Sequence, residues 1–214
     1  GYVPGEGVGA VLLKPLSRAL ADGDHVYGVI LGTSINHGGK TTGYTVPNPQ
    51  AQGHVVAVAL QDAGIDARAV SYLEAHGTGT SLGDPIEIAG LVQAFAQSTA
   101  DTQFCAIGSV KSNIGHLEGA AGIASLTKVL LQMRHRQLVP SLHAEELNPH
   151  IAFERTPFVV QRTLAPWSRP RVVHDGQTRE LPLTAGISSF GAGGTNAHVI
   201  VQEPLVVASS GAAT

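Results

Sequence analysis

The sequence predicts an α/β layered fold, in which helices alternate with the strands of a mostly buried sheet. Short apolar runs, among them Val70–Ala75 and Phe104–Val110, alternate with stretches of helical spacing, an arrangement typical of strand–helix units. Of the 214 residues, 43% are hydrophobic and only 14% are charged, so much of the chain must be buried. The 26 glycines and 12 prolines favour many tight turns over a helical bundle.

The first part of the chain divides into alternating strands and helices. The predicted elements are a strand over Val8–Leu13, a helix opened by Pro15 and closed by Gly23, a strand over Val26–Ser34, a helix over Gln50–Ala63 that stops at Gly64, and a strand over Val70–Ala75. Gly64 is expected just past the helix end, where a left-handed backbone favours glycine.

The second part continues this alternation and then becomes rich in strands. Asp84, Pro85 and Glu87 predict a helix start, with an N-cap acceptor, a proline at N1 and a glutamate at N3. The remaining predicted elements are that helix to about Gln97, a strand over Phe104–Val110, a helix after His116 to about Arg136, and strands over Phe158–Leu164, Arg171–His174, Leu181–Phe190 and His198–Gln202. Asp175-Gly176 is expected to form a turn between two of these strands.

Charge and composition disfavour several classes of partner. The formal net charge of −3 and the pI near 6.4 give no reason to expect nucleic acid or an anionic membrane. Neither a signal peptide nor an apolar stretch long enough to span a bilayer is visible. The single cysteine, Cys105, excludes an internal disulfide and is consistent with a reducing cytoplasm.

Two histidines lie in glycine-rich turns directly after apolar runs. His76 precedes Gly77-Thr78-Gly79-Thr80, and His116 follows Lys111-Ser112-Asn113-Ile114-Gly115. Glycines let a substrate approach the imidazole closely, and the field of the helix after His116 disfavours a charged ring. The pair is therefore predicted to donate two hydrogen bonds to one developing oxyanion.

Simpler explanations of these turns stay open. A plain turn before a helix explains the glycines after His76 equally well. Lys111 could pair with Glu118 and fix the second turn, or the two could form a surface ion pair worth little. A third glycine loop, Gly191–Asn196, fails as a dinucleotide fingerprint because asparagine ends it and a strand follows. It fits either a hairpin turn or a set of backbone N–H groups that face an oxyanion.

Other catalytic chemistries find no support in the sequence. Gly186–Phe190 lacks the fifth-position glycine of a nucleophile elbow, and a strand is expected to continue through it. His-Glu-x-x-His, Cys-x-x-Cys and P-loop patterns are absent, so no metal site is predicted. Cys105 lies inside an apolar strand with no basic neighbour, which predicts an inert core thiol. The chain therefore offers no candidate nucleophile.

Taken together, the motifs resemble the ordered signatures of β-ketoacyl synthases from modular polyketide synthases. The matching segments are Gly5–Gly9, His76–Thr80, Lys111–His116 and Ser188–His198, and the resemblance runs from Gly1 to about Pro204. The segment Asn36–Pro49 is similar to ketosynthases of assembly lines whose acyltransferase acts in trans.

The resemblance implies a fold and a division of the chain. The family has the thiolase-like fold, two related halves in an α/β/α/β/α layered sandwich, and this chain resembles the C-terminal half. Residues 1–25 correspond to a strand and a helix at the end of the N-terminal half, 26–204 to the C-terminal half, and 205–214 to a tail or linker. The family's catalytic cysteine lies upstream of the segment like Gly1–Gly9. The chain is therefore expected to be a piece of a longer protein and inactive alone.

The resemblance also implies a reaction and the residues that carry it. The family performs decarboxylative Claisen condensation of a carrier-bound malonyl unit with an acyl chain held on its cysteine. His76 and His116 match the histidines that stabilise the enolate, and Lys111 matches an active-site lysine with a structural and electrostatic role. The positions that match substrate or phosphopantetheine contacts are Thr78, Thr80, Asn113, Phe190, Gly191 and Ala192. The Ala192 N–H matches an oxyanion-hole position, and alanine there implies a wider or differently gated acyl pocket.

The resemblance implies partners but no bound cofactor, since substrates arrive on the phosphopantetheine of an acyl carrier protein. The expected partners are that carrier, the N-terminal ketosynthase half, and a second copy in a homodimer of the complete domain. Neither nucleic acid nor a membrane is expected. The alternative is a non-catalytic remnant or docking module that binds a carrier protein. The isolated half is expected to expose an apolar face and to self-associate.

Overall fold

One mixed sheet of six strands, covered by helices on both faces, organises the chain. The computed structural model describes residues 2–41, 43, 46–174 and 177–205, with the backbone alone at 173 and 174. In chain order the elements are α1 (Leu16–Ala21), β1 (Val29–His37), α2 (Pro49–Ala63), β2 (Tyr72–Glu74), α3 (Gly83–Phe95), β3 (Cys105–Gly108), α4 (Lys111–Ile114), α5 (Ala121–His135), β4 (Gln137–Leu138), β5 (Phe158–Val160), β6 (Ala165–Pro166), β7 (Arg171–His174), β8 (Gln177–Glu180), β9 (Thr184–Phe190) and β10 (Thr195–Gln202).

The order of strands in the sheet is β1-β10-β9-β2-β3-β5. Strands β9, β2, β3 and β5 run parallel to one another, whereas β10 pairs antiparallel with both β9 and β1. Parallel strands end at the same edge of a sheet, so the loops that follow β2, β3 and β9 meet there. Two small two-stranded sheets, β4 with β6 and β7 with β8, lie outside the main sheet.

The core has two parts, one on each face of the sheet. On one face α2 and α3 cover the sheet with Val56, Leu91 and Phe95. On the other face α5 covers it with Val129 and Met133. Burial of these side chains supplies most of the driving force for folding. The result is an α/β/α arrangement, the layered α/β fold that the alternating sequence pattern predicted.

The predicted strand over Val8–Leu13 is wrong. These residues form no strand, and Val8 and Leu12 are 98% and 95% exposed. The segment before them lies instead against the turn at 114–117. The approach is so close that a Cβ at Gly5 would stand 2.5 Å from the Ile114 carbonyl oxygen. Gly5, Gly7 and Gly9 leave room for the chain to pack closely against Ile114, Leu117 and Ile123.

The predicted N-cap at Asp84 is also wrong. Helix α3 begins at Gly83, and its N-cap residue, Leu82, makes no side-chain cap bond. The Asp84 carboxylate accepts the Gly79 N–H at 3.1 Å, and the Glu87 carboxylate likewise points away from its own helix end. Both carboxylates hold the preceding turn, a contact that the local capping pattern could not distinguish from a cap.

Of the other predicted boundaries, some match the structure and others are shifted. Helix α2 stops at Gly64, which has a φ of 64°, and β7 has the predicted bounds. Helix α5 starts later than predicted, after the 3₁₀ turn Glu118–Ala120. Strand β8 was not predicted because its four exposed residues show no apolar alternation. The Asp175-Gly176 turn and the tail from 206 lie outside the described residues.

Candidate active site

Three glycine-rich turns meet at the carboxyl edge of the parallel strands. The turn after β2 carries His76, the turn after β3 carries Lys111 and His116, and the turn after β9 carries Ala192. The rings of His76 and His116 lie 5.3 Å apart between centroids at an interplanar angle of 79°. The Phe190 ring at the end of β9 lies 5.8 Å from His76. The fold therefore brings together motifs that are far apart in sequence.

Hydrogen bonds from the main chain select the same tautomer for both histidines. The Nδ1 atom of His76 accepts the Phe190 N–H at 3.2 Å, and the Nδ1 atom of His116 accepts the Glu118 N–H at 3.0 Å. In a neutral imidazole, an accepting nitrogen carries no proton, so Nε2 carries it in both rings. Each ring thus keeps one N–H donor for a ligand.

Both rings are held neutral. Burial lowers the pKa of His76 to about 3, with further lowering from the positive charge of Lys111 and from His116. Burial and Lys111 also lower the pKa of His116, against the opposing charge of Glu118. Helix α5 begins only at Ala121, and a helix field falls off within its first turn. Burial and Lys111, rather than the helix end invoked from sequence, therefore account for the neutral His116 ring.

Backbone anchors fix the two histidine turns. Glu87, which is 5% exposed, accepts the His76 N–H at 2.7 Å and the Gly77 N–H at 2.9 Å. Burial raises the pKa of Glu87 to about 7 against the lowering effect of these two N–H groups. His116 donates its N–H to Val3 and accepts the Gly5 N–H, each at 2.8 Å. These anchors were not predicted from the sequence, because Glu87 was assigned to the capping of its own helix.

Lys111 is partly buried on the short helix α4, and its charge acts on both histidine rings. Burial lowers its pKa, while the negative charges of Glu87, Glu74 and Asp84 oppose that shift. The ion pair with Glu118 that the sequence left open does not form among the described residues. Glu118 instead accepts a hydrogen bond from the Tyr2 hydroxyl at 2.5 Å.

The third turn joins β9 to β10 in a hairpin, one of the two interpretations that the sequence left open. The Gly191 carbonyl accepts the Gly194 N–H at 2.9 Å. The N–H of Ala192 belongs to the same planar peptide as that carbonyl, so it points in the opposite direction, away from the turn. His37, at the end of β1, contacts the same turn, with its Nε2 atom 3.0 Å from the Gly193 carbonyl oxygen.

The other predicted contact residues lie in these turns. The Thr78 and Thr80 hydroxyls are 3.3 Å apart, and Thr80 also accepts the Gly83 N–H at 3.0 Å. Phe190 is buried, Gly191 is exposed, and Asn113 is exposed on α4 with its amide oxygen accepting from Ser112.

Nucleophile and metal chemistry find no support in the structure. Cys105 is fully buried, and burial raises the pKa of its thiol well above the ordinary value. Strand β9 continues through Ser188 and Ser189, as predicted when a nucleophile elbow was discounted. Within the ranges that the structure describes, no cluster of histidine, cysteine or carboxylate side chains could hold a metal, and no helix is long and apolar enough to cross a membrane.

Comparison with known proteins gives consistent relatives. Residues 27–145 match the family described as the β-ketoacyl synthase C-terminal domain. Polyketide synthase PksL of Bacillus subtilis is 66% identical over 203 residues, which is 95% of this chain and 4% of that protein. Polyketide synthase ThaG of Burkholderia thailandensis is 65% identical over 204 residues, again 95% of this chain and 4% of the relative.

Solved structures of ketosynthases superpose closely on the chain. The oxazolomycin ketosynthase domain OzmH KS7 of Streptomyces albus has 60% sequence identity and a TM-score of 0.90, over 96% of this chain and 35% of that one. The ketosynthase from module 6 of the bacillaene synthase of Bacillus subtilis has 46% identity and a TM-score of 0.81, over 90% and 33%. The chain thus spans about a third of these ketosynthases and a small fraction of the curated relatives.

Proposed function

Since the chain belongs to the β-ketoacyl synthase family and matches its C-terminal domain, we propose that it supplies the decarboxylating side of a ketosynthase active site in polyketide biosynthesis. The observation that carries the proposal is the pair of neutral imidazoles, each with Nδ1 engaged by the main chain and Nε2 left as a donor. Two such donors at adjacent rings suit an oxygen that gains negative charge.

Decarboxylation is the step that these residues perform. The Nε2–H groups of His76 and His116 donate to the thioester carbonyl oxygen of a carrier-bound malonyl unit. The bond to the malonyl carboxylate breaks, carbon dioxide leaves, and its bonding electrons form the enolate. No proton transfer is needed, which fits rings held neutral by burial. Lys111, whose positive charge acts on both rings, thereby favours the enolate.

Condensation requires a nucleophile that this chain does not supply, because Cys105 is buried in the core. The cysteine comes from the N-terminal ketosynthase half and carries the acyl chain as a thioester. The enolate carbon forms a bond to the acyl carbonyl carbon, the carbon–sulfur bond breaks, and the cysteine thiolate leaves. The Ala192 N–H stabilises the oxyanion of this step.

Binding of the carrier-delivered substrate falls to the turns around the histidines. The Thr78 and Thr80 hydroxyls lie in the His76 turn and hold the phosphopantetheine arm, and Asn113 contacts it from α4. Phe190, Gly191 and Ala192 border the acyl chain, and the small side chain of Ala192 leaves room for a large acyl group. The carrier protein is the external partner, and the complete domain forms a homodimer.

The kind of assembly line follows from a separate likeness. The loop Asn36–Pro49 resembles ketosynthases whose acyltransferase acts in trans, although Thr42, Tyr44 and Thr45 lie outside the described residues. His37, in the described part of this segment, contacts the Gly193 carbonyl oxygen beside Ala192. We therefore assign His37 to the acyl-substrate side of the pocket.

The test uses a complete ketosynthase domain, with the N-terminal half joined to this chain. Removal of one oxyanion donor typically lowers a rate about 10²–10³-fold. We expect His76→Ala and His116→Ala each to lower carbon dioxide release from a malonyl carrier protein by about that factor. His54→Gln, on the exposed face of α2, is the matched control and should keep the rate.

Release of carbon dioxide at the wild-type rate by both alanine variants would contradict the roles given to His76 and His116. A wild-type complete domain that binds the carrier but neither loads an acyl group nor decarboxylates malonate would favour the non-catalytic docking module instead.

A further inference from the structure

A buried ion pair lies directly beneath the histidine turns. Glu74, the last residue of β2, is fully buried, and Lys128 on α5 is 9% exposed. The Lys128 ammonium lies 2.8 Å from Oε2 of Glu74, and the Tyr72 hydroxyl donates to the same oxygen at 2.7 Å. Oε1 of Glu74 accepts the Val110 N–H at 2.6 Å. We call Tyr72, Glu74, Val110 and Lys128 the Glu74 network.

Stability alone is a weak explanation for this pair. Removing two charges from water is costly, and well-packed apolar residues often replace a buried ion pair without loss of stability. Both oxygens of Glu74 are nevertheless hydrogen-bonded, and together they receive three donors. Such a carboxylate specifies the geometry of the groups that donate to it.

The contact with Val110 is the one that bears on the site. Val110 precedes α4 and is its N-cap residue, and an N–H group at the start of a helix has no partner within that helix. Lys111 follows immediately, and the turn continues to His116. On the other side of the same carboxylate, the main chain runs from Glu74 through Ala75 to His76. Glu74 therefore ties the first histidine turn to the turn that carries Lys111 and His116.

We infer that Glu74 is a positioning residue for decarboxylation, with the Lys128 ammonium holding its carboxylate in place. The inference rests on the proposed function. Glu74 touches neither imidazole, so it acts through the spacing between His76 and the Lys111–His116 turn. Glu87, on α3, fixes the main chain of His76, and Glu74 fixes the Lys111–His116 turn through the Val110 N–H. A misplacement of about 1 Å in such an arrangement can cost about 100-fold in rate.

Two double variants isolate the role of the carboxylate oxygen. Glu74→Met with Lys128→Met removes both charges and also the acceptor for the Val110 N–H. Glu74→Gln with Lys128→Met removes both charges but keeps one oxygen that can accept it. Neither variant leaves an unpaired buried charge, so the two differ in the acceptor that the inference concerns.

The experiment measures two partial reactions of the complete ketosynthase domain. Acyl loading of its cysteine is followed by intact mass, and malonyl decarboxylation by carbon dioxide release. We expect the Met/Met variant to decarboxylate at least about 10-fold more slowly while loading stays within about twofold of wild type. The Gln/Met variant should restore decarboxylation to within about threefold. Loading depends on the cysteine and on the turn between β9 and β10, and the Glu74 carboxylate, whose partners are Tyr72, Val110 and Lys128, makes no hydrogen bond to that turn.

Three results would overturn the inference. They are wild-type decarboxylation by the Met/Met variant, equal losses of loading and decarboxylation, and equal behaviour of the two double variants. Where the Met/Met variant does not fold, Glu74→Gln alone replaces it. Val110 and Lys128 bind different oxygens of Glu74, and glutamine keeps an acceptor at only one of these two positions. Its decarboxylation should then fall while loading persists, and parallel loss would again overturn the role. A wild-type domain that loads but never decarboxylates contradicts the proposed function itself.

Discussion

His76 and His198 are both buried imidazoles, but only His76 lies at the site. His198 on β10 places Nδ1 3.0 Å from the Ser188 hydroxyl, and its Nε2 atom has no partner among the described residues. Burial lowers the pKa of His198 to about 3, and burial together with Lys111 and His116 does the same for His76. At the residue scale, a neutral imidazole is therefore not by itself a sign of catalysis. The groups around the ring determine whether it lies at a candidate active site.

These low pKa values predict a loss of stability in acid. An unfolded histidine takes up a proton below a pH of about 6.5, whereas folded His76 and His198 stay neutral until about pH 3. These two histidines therefore leave the free energy of unfolding unchanged above pH 6.5. As the pH drops from 6.5 towards 3, each lowers it by up to about 1.4 kcal/mol per pH unit. We expect His198→Asn to make the decline between pH 7.5 and 5.5 shallower by about 1 kcal/mol, as measured by denaturant unfolding.

Glu87 supplies a control, because its effect on the pH dependence of stability has the opposite sign. Its folded pKa of about 7 lies above the ordinary value of 4.5, so the folded state holds a proton that the unfolded state has released. Its contribution grows as the pH falls from 7 towards 4.5. Glu87→Gln should therefore make the acid decline steeper. A decline that neither variant changes would contradict both assignments.

At the scale of elements, the crossing of α2 and α3 positions the first histidine turn. A Cβ on Gly53 would stand 2.8 Å from the Gly90 carbonyl oxygen, and one on Gly90 would stand 2.8 Å from the Pro49 carbonyl oxygen. The two helices therefore touch backbone to backbone. Because α3 carries Glu87, which holds the His76 main chain, this close crossing contributes to the geometry of the site.

A methyl group at this crossing should force the helices apart. We expect Gly53→Ala and Gly90→Ala each to lower the free energy of unfolding by about 1–3 kcal/mol through overpacking, despite the better helix propensity of alanine. Gly119→Ala is the matched control, since a Cβ there meets nothing within 4 Å. Urea unfolding measures the difference. Equal midpoints for Gly53→Ala and Gly119→Ala would show that the crossing is not tight.

At the scale of the whole molecule, two grooves present apolar groups to solvent. One, of about 390 Å³, is lined by residues that include Val8, Ile123 and Leu131. The other is lined by residues that include Leu12 and Leu130, and Leu12 and Leu131 are 95% and 47% exposed. Large contiguous apolar patches usually mark a surface that a partner covers. The proposed occupant is the N-terminal ketosynthase half.

The isolated chain should therefore self-associate, as its sequence also predicted. We expect light scattering to show a mass that rises with concentration, because the exposed apolar surface gains free energy from burial. Leu12→Lys combined with Leu131→Lys should shift the distribution towards monomer, whereas Val159→Lys, on β5 at the sheet edge, should not. A concentration-independent monomer with a cooperative melt would contradict this prediction.

The sequence by itself determined the alternation of elements, the end of α2 at Gly64 and the three glycine turns. Each of these depends on neighbours within a few residues, through hydrophobic period or backbone freedom. The roles of His76 and His116 stay predictions that the geometry supports. The tertiary structure alone decided that Val8–Leu13 does not join the sheet and that Glu87 holds His76. It also placed Glu74 against Val110. Strand partners and carboxylate acceptors are chosen by distances between segments far apart in the chain, which no local pattern records.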